Sequence, residues 1–324
     1  MKRPGTQNKN KHMEETQPIS KKLLLLNIIL VVLIVFMFFV IYAELNKLVK
    51  KEAITNSEKS GVAVFDTINL EAKSVYVFDV VKNEVIFKKN EFAQLPLASL
   101  TKLMTAITAI ELVPKNSLIT IRKEFLKEEG DTGLLADESW KLRDLLDFSL
   151  MVSSNDGARS IASVIGAMDL KTDNYDLGRK DFIEKMNEKA KELGLKQTYF
   201  VNESGLDDGV ISGGYGSAID VSSLIKYILE NHPEILEATK YQTLDIPSLN
   251  KMHNATNTNI SVDQIPGILA SKTGYTELAG GNLAVAFDSS IGRPIIVVVL
   301  GSTIDGRFED VTKLVKATQT YIGR

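Results

Sequence analysis

Residues 97–106, "LASLTKLMTA", place a serine and a lysine three positions apart in an otherwise apolar run. On a helix, this spacing puts Ser99 and Lys102 on one face. Apolar neighbours such as Leu103 and Met104 predict that the helix is buried, and burial disfavours a charged amine. Because a partly neutral lysine can accept the proton of a hydroxyl, the stretch predicts a base-activated serine nucleophile.

The S-x-x-K pattern has little specificity by itself, because about one chance copy is expected in a chain of this length. Here it also occurs at Ser223/Lys226 and at Ser248/Lys251. The first of these lies in the middle of an amphipathic predicted helix, where the hydroxyl is expected to bond the backbone. The second lies in a predicted loop. Only Ser99 is at the start of a predicted helix, where backbone N–H groups and the positive end of the dipole are available.

Two further short stretches contain polar or charged side chains suited to catalysis or substrate binding. "SSN" lies between two predicted helices, where Ser153 can relay protons and Asn155 can both donate and accept hydrogen bonds. "KTG" lies in a strand-like run, with the charge of Lys272, the hydroxyl of Thr273, and Gly274, which lets another backbone come close. Taken singly, a helix cap explains "SSN", and a surface strand with a turn explains "KTG".

The ordered set S-x-x-K, S-x-N and K-T-G resembles the penicillin-recognising serine enzymes. With "PLASLTKLMTA", "SSNDGA", "TYFVNESGLDD" and "KTGYTELAG", the chain is similar to the serine D-alanyl-D-alanine carboxypeptidases among the low-molecular-mass penicillin-binding proteins. The similarity covers about residues 73–303 and implies a β-lactamase/transpeptidase-like α/β fold for a domain over 71–324. "NESGLDD" departs from the histidine-containing form usual in the family, which leaves substrate preference near Glu203 and Ser204 open.

The resemblance also implies roles for individual residues. Ser99 would be the nucleophile, Lys102 its base, Ser153 a relay to the leaving amine, and Asn155 a holder of Lys102 and of the substrate amide. The remaining implied residues bind substrate or form the oxyanion hole: Lys272, Thr273 and Gly274 for substrate, and the backbone N–H groups of Ser99 and Tyr275 for the oxyanion. Lys272 would also repel a proton from Lys102. The implied substrate is a peptidoglycan pentapeptide, the implied covalent inhibitors are β-lactams, and no metal or organic cofactor is expected.

Three other functions remain open from the sequence. A class A-like β-lactamase would need a deacylating glutamate in an E-x-x-L-N loop, and the nearest match, "ELGLK" at 192–196, ends in Lys196. A DD-endopeptidase would use the same chemistry on D-alanyl cross-links. A non-catalytic receptor for wall peptides or penicillin would carry the same motifs.

The first seventy residues predict a membrane anchor. Residues 1–22 are polar and basic, and residues 23–43 are almost entirely apolar. Twenty helical residues span about 30 Å, the thickness of the bilayer hydrocarbon core. We expect a single-pass transmembrane helix at 23–43, a cytoplasmic tail at 1–22 and a stalk at 44–70, with the catalytic domain on the outer side. A cleavable signal peptide is the alternative, although its apolar region is usually shorter.

Strand-like runs occur at both ends of the outer domain, and helical patterns fill its middle, about 103–265. The simplest packing is one antiparallel sheet made from the two ends, with helices on its faces and a helical lobe beside it. The expected place for chemistry is a cleft between the two.

Composition narrows the classes of function. The net charge of −3 gives no general attraction to nucleic acid, and no nucleic-acid partner is expected. The absence of cysteine excludes disulfides and thiol catalysis. The three histidines share no metal-ligand spacing and are predicted to be surface or loop residues: His12, His232 and His253.

Overall fold

The structure is a computed structural model that describes residues 30, 33–47, 64–130 and 132–323. The chain divides into one unit of residues 1–60 and a second of residues 61–324. In the first unit, helix α1 covers 33–47 and its apolar side chains are exposed.

The predicted tail at 1–22 lies outside the described residues, and the predicted transmembrane helix and stalk are described only in part. Within the described parts of the chain, we find no helix both long enough and apolar enough to cross a membrane.

The second unit contains a five-stranded sheet built from both ends of the domain. Its strands are β1 (Ser74–Asp79), β2 (Glu84–Lys89), β10 (Ile268–Thr276), β11 (Gly280–Asp288) and β12 (Pro294–Ser302). The spatial order is β10-β11-β12-β1-β2, and every neighbouring pair is antiparallel. Val77 of β1 lies opposite Val297 of β12, so the two ends of the domain meet at the centre of the sheet. The predicted antiparallel sheet is confirmed.

Both faces of this sheet are buried. Successive side chains of a strand point to opposite faces. In β12, Ile296 and Val298 belong to the core shared with the central helices, whereas Ile295 and Val297 pack in a second core with helix α7 (Gly306–Ile322). A strand covered on both sides needs apolar residues at every position, which explains the continuous run "PIIVVVL".

Five α-helices fill the middle of the chain over the stretches 102–130 and 132–231 that the structure describes. They are α2 (Lys102–Leu112), α3 (Leu142–Met151), α4 (Asn155–Leu170), α5 (Tyr175–Glu192) and α6 (Ala218–Asn231). A 3-10 helix, Ala98–Thr101, leads directly into α2. Helix α2 contacts the other four, so it is buried on nearly all sides and carries the S-x-x-K lysine into the interior.

The middle region also contains short strands that the sequence pattern did not predict. They are β3 (Leu95–Pro96), β4 (Leu118–Thr120), β5 (Ser139–Lys141), β6 (Tyr199–Phe200), β7 (Gly214–Gly216), β8 (Thr243–Pro247) and β9 (Met252–Thr256). They form the sheet β3-β7-β6 and the pairs β4-β5 and β8-β9. The expected helical lobe therefore also contains strands, because runs of only two to five residues are too short to give a clear period-two signal.

The expectation of a surface or loop position is wrong for His253. It lies in β9, is 7% exposed and packs against the Trp140 ring at 4.6 Å between centroids. Its Nε2 lies 2.6 Å from Oε1 of Glu138. The exposed neighbours Met252 and Asn254 concealed this burial, because alternate residues of a strand face opposite sides.

Asp147 in α3 provides a test of stability against pH. Burial raises its pKa to about 6, although Arg143 donates to Oδ2 at 2.9 Å. Relative to the unfolded chain, ionised Asp147 therefore destabilises the fold, and this cost grows as pH rises from about 4 to 6. We expect Asp147→Asn to gain about 1–2 kcal/mol more unfolding free energy at pH 7.5 than at pH 4. Denaturant unfolding at both values measures this. The same change at the exposed Asp173 is the control, and equal effects of Asp147→Asn at the two pH values would contradict the argument.

Candidate active site

Ser99 lies in a crowded turn at the entrance to α2. The preceding Ala98 has φ +48°, a left-handed conformation, and turns the chain from β3 into the 3-10 helix. Gly205 packs against this turn so closely that a Cβ there would collide with the Ala98 carbonyl. The turn that leads into Ser99 is therefore packed directly against the backbone of Gly205.

The amine of Lys102 contacts residues from three segments of the chain. This side chain is only 2% exposed. In the protonated form, its Nζ donates to three oxygen atoms: Oγ of Ser99 at 3.0 Å, Oδ1 of Asn155 at 2.6 Å and the carbonyl of Ser204 at 2.8 Å. Serine and lysine are thus in direct contact inside the protein.

Burial lowers the pKa of Lys102 to about 7, although the charges of Glu203 and Glu128 oppose the shift. Near neutral pH, a substantial fraction of the molecules therefore carries an unprotonated amine beside the Ser99 hydroxyl. An amine in that state can act as a general base.

The loop between α3 and α4 supplies the second group of side chains. Ser153 has φ +60°, and Ser154 caps α4 by accepting from the Gly157 N–H at 3.0 Å. Asn155, the first residue of α4, accepts from Lys102 through Oδ1 and donates through Nδ2 to the Glu129 carbonyl at 2.6 Å. The cap residue Ser154 therefore lies between the two motif residues, with Ser153 before the helix and Asn155 in its first turn.

Strand β10 supplies the third group. Lys272 donates to Ser153 Oγ and to the Thr273 carbonyl, each at 2.9 Å. Burial and, next, the charge of Lys102 lower the pKa of Lys272 well below its ordinary value. The charge of Lys102 thus helps to lower the pKa of Lys272, whereas the repulsion of a proton from Lys102 by Lys272 stays a prediction, because burial is what lowers the pKa of Lys102. The Thr273 hydroxyl lies 2.6 Å from that of Thr258.

Gly274 brings β10 against the serine turn. A Cβ there would lie 2.9 Å from the Leu97 carbonyl oxygen and 3.2 Å from the Ser99 backbone N. On its other side, Arg307 donates to the Gly274 carbonyl at 2.8 Å. The residue type at this position therefore controls how closely β10 approaches Ser99.

We expect Gly274→Val to lower the rate of acylation by a fluorescent penicillin by about 100-fold, because displacement of reacting groups by about 1 Å costs that much. Gly274→Ala should have a smaller effect in the same direction. Gly292→Ala, where a Cβ meets no atom within 4 Å, is the control. Wild-type rates in both Gly274 variants would show that the close approach is not needed.

A cleft of about 430 Å³ opens beside these groups. Asn155 and Tyr275 line it, together with Glu129, Gly130, Leu206, Asp207, Gly209, Thr276, Glu277 and Leu278. The structure therefore brings all three motifs to one place, as two hydrogen-bonded pairs with Asn155 on the cleft wall.

The other two S-x-x-K pairs have different partners. Ser223 donates to the Ile219 carbonyl, and Lys226 pairs with Glu230. Ser248 donates to Glu138. These contacts are those of a helix surface and of a hairpin turn.

Three groups that contact the motif residues could not be identified from the sequence around them. The Ser204 carbonyl, the Thr258 hydroxyl and the Arg307 guanidinium each contact a motif residue. Every residue has a backbone carbonyl, so the identity of residue 204 does not show that its carbonyl takes part. The two side chains come from segments that carry none of the three motifs. The departure at Glu203 and Ser204 was the only signal that pointed to this part of the site.

Comparisons with known proteins are consistent with this geometry. The D-alanyl-D-alanine carboxypeptidase family (Peptidase_S11) matches residues 60–303. The D-alanyl-D-alanine carboxypeptidase DacF of Bacillus subtilis is 30% identical over 250 residues, which are 75% of this chain and 61% of DacF. A D-alanyl-D-alanine endopeptidase of Haemophilus influenzae is 32% identical over 216 residues, 65% of this chain and 69% of the endopeptidase.

A solved structure of penicillin-binding protein D2 from Listeria monocytogenes, in the ampicillin-bound form, is 28% identical with a TM-score of 0.66. The match covers 78% of this chain and 98% of that one. The shared fold is thus an α/β penicillin-binding-protein fold with antiparallel sheets and helices. The family match covers more than half of this chain, and the chain therefore belongs to the D-alanyl-D-alanine carboxypeptidase family.

Proposed function

We propose that the protein is a membrane-anchored serine-type carboxypeptidase. It removes the terminal D-alanine from D-alanyl-D-alanine stem peptides of peptidoglycan through an acyl-enzyme at Ser99, and β-lactams inhibit it. The observation that carries the proposal is the buried Lys102 amine, with a pKa of about 7, at 3.0 Å from the Ser99 hydroxyl.

Acylation begins when neutral Lys102 takes the proton of the Ser99 hydroxyl. The Oγ–C bond forms at the penultimate D-alanine carbonyl, whose oxygen becomes an anion stabilised by the N–H groups of Ser99 and Tyr275. Donors of this kind each contribute about 3 kcal/mol. The C–N bond then breaks, and Ser153 passes the proton that Lys102 took from Ser99 to the amine of the leaving D-alanine. Water attacks the ester carbonyl, the Oγ–C bond breaks, one water proton returns to Ser99 Oγ, and the shortened peptide leaves with a new carboxylate.

Lys272 and Thr273 bind the carboxylate of the terminal D-alanine, with Gly274 leaving room for the substrate backbone. Burial holds the pKa of Lys272 low in the free protein. An arriving carboxylate favours the charged form of the amine, so binding of the substrate and protonation of Lys272 are coupled. This coupling favours substrates with a free C-terminus.

The relatives support the reaction class and the inhibitor class. The B. subtilis relative is a D-alanyl-D-alanine carboxypeptidase, and this chain spans 61% of its length. The L. monocytogenes relative is a penicillin-binding protein with ampicillin bound. The "ELGLK" glutamate that a β-lactamase would need, Glu192, instead pairs with Lys189 at the exposed end of α5. We therefore propose slow deacylation of penicillin, which produces inhibition.

The anchor comprises a cytoplasmic tail at 1–22, a transmembrane helix at 23–43 and a stalk at 44–70, which hold the domain at 71–324 outside the cell membrane. Helicity over 33–47 with exposed apolar side chains supports a lipid-facing segment. Expression of the full chain and protease treatment of intact cells test the orientation. Cleavage of the outer domain is expected, and complete protection of it would contradict this topology.

The test of function uses the full chain in membranes with a peptidoglycan pentapeptide. We expect release of free D-alanine and stoichiometric labelling by a fluorescent penicillin. Labelling without D-alanine release would favour a receptor, and rapid turnover of penicillin would favour a β-lactamase. The similarity to the H. influenzae endopeptidase makes cleavage of D-alanyl cross-links the second candidate, tested with a cross-linked dimer.

A further inference from the structure

An ion pair lies behind the Lys102 amine, outside the three motifs. The Arg179 Nε donates to both carboxylate oxygens of Glu203, at 3.0 and 2.9 Å. The Glu203 side chain is 1% exposed and that of Arg179 is 28% exposed. A carboxylate so deeply buried needs a partner, because an unpaired buried charge is costly.

Arg179 is held in a rigid part of the fold. It follows Gly178 in α5, and a Cβ at Gly178 would collide with the Ala167 backbone in α4. Helices α4 and α5 therefore pack with their backbones in contact. Because α4 begins at Asn155, one helix pair supplies both the anchor for Glu203 and one of the oxygens that Lys102 binds.

Glu203 is held at its backbone as well. Its carbonyl accepts from the Thr105 hydroxyl at 2.7 Å, one helical turn beyond Lys102 in α2. The next carbonyl in the chain, that of Ser204, accepts from Lys102 at 2.8 Å. The Arg179–Glu203 pair and Thr105 thus hold the residue before Ser204, and Asn202 Oδ1 holds the residue after it by accepting from the Gly205 N–H at 2.7 Å. Together these contacts orient the Ser204 carbonyl toward Lys102.

That carbonyl limits how a neutral Lys102 amine can be oriented. A neutral amine has two N–H donors and one lone pair. The Ser204 carbonyl and Asn155 Oδ1 can only accept, and the Asn155 amide is oriented by its bond to the Glu129 carbonyl. Both N–H groups are therefore used, and the lone pair faces the Ser99 hydroxyl.

We propose that Arg179 and Glu203 act as positioning residues for the general base, holding the Ser204 carbonyl so that the Lys102 lone pair faces Ser99. This inference rests on the proposed function of Lys102. The charged groups around that amine are Glu203, Glu128, which pairs with Arg159, and Lys272.

The test compares Glu203→Gln, Arg179→Gln and Arg179→Lys in the full chain, with a fluorescent penicillin as probe. We expect the first two to slow acylation by about 10- to 100-fold, as misplaced reacting groups do. Non-covalent affinity for the penicillin should change less than threefold. Glu203→Gln should also move the acid limb of the rate to lower pH, because the Glu203 charge favours protonated Lys102. Arg179→Lys should recover most of the rate.

Asp181→Asn, which breaks a different ion pair on α5, is the matched control and should react like the wild type. Wild-type acylation by Glu203→Gln at every pH would overturn the proposal. So would a loss of rate that equals the loss of folded protein, with the acid limb unmoved. If the wild type reacts with penicillin but releases no D-alanine, the carboxypeptidase function fails while this comparison of acylation rates still stands.

Discussion

Ser99→Ala is expected to abolish covalent labelling by fluorescent penicillin and to lower D-alanine release by about 10⁶-fold, the scale of nucleophile removal in serine hydrolases. The other groups around the cleft remain, but without the Ser99 oxygen no acyl-enzyme forms. Labelling followed on denaturing gels and D-alanine release from a pentapeptide measure the two effects. Thermal unfolding should be close to that of the wild type, because the substitution removes one hydroxyl from a partly exposed side chain.

The sequence supplies matched controls for this experiment. Ser223→Ala and Ser248→Ala remove the serines of the other two S-x-x-K pairs, whose hydroxyls bond a helix carbonyl and Glu138. Both variants should label like the wild type. Persistent labelling of Ser99→Ala, or loss of labelling in a folded Ser223→Ala variant, would place the nucleophile elsewhere.

Lys102→Met is expected to slow acylation by about 10²- to 10⁴-fold, the usual contribution of a positioned general base. Methionine keeps an apolar stem of similar length in the buried helix but has no lone pair on nitrogen to accept the Ser99 proton. The second-order rate constant for penicillin acylation measures the effect. Lys226→Met, in the exposed S-x-x-K pair of α6, is the control.

The pH dependence of the wild type tests the same base. Because only the neutral amine accepts a proton, the rate should fall about tenfold per pH unit below pH 7 and level off above it, following the Lys102 pKa of about 7. Lys102→Met should lose this acid limb. A limb that survives in Lys102→Met would assign it to another group.

The sheet and the long helices could be predicted because their patterns are strong and local. The runs "SVYVFDV" (74–80), "EVIFKK" (84–89) and "PIIVVVLGST" (294–303) predict strands, and β1, β2 and β12 lie there. The helix that the pattern predicts over about 306–322 is α7. The amphipathic run "DFIEKMNEKAKELGL" predicts a helix over 181–195, but α5 begins at Tyr175, where Asn174 caps it. The first six residues of α5 carry few apolar side chains, so the pattern does not include them. The hairpin of β8 and β9 could not be predicted from its own residues. Its burial depends on His253, which packs on Trp140 and Phe148 from a distant part of the chain.

In the candidate site, too, some residues could be predicted from the sequence and others could not. Ser99, Lys102 and Asn155 could be selected from motif order, since residue type and spacing are visible in the chain. The roles assigned to them stay predictions that the substitutions above test. The contact from Lys102 to the Ser204 carbonyl and the Arg179–Glu203 pair behind it could not be selected, because they join residues about 100 and 24 positions apart.

The amino-acid sequence by itself determined the family, the antiparallel sheet joining the two ends of the domain, and the serine and lysine that share one helical turn. These depend on residue identity and on periodicity over a few residues. Only the tertiary structure decided that the amine of that turn is buried, that its pKa falls to about 7, and which oxygens surround it. Burial and hydrogen-bond geometry arise from segments distant in the chain, so no local pattern carries them.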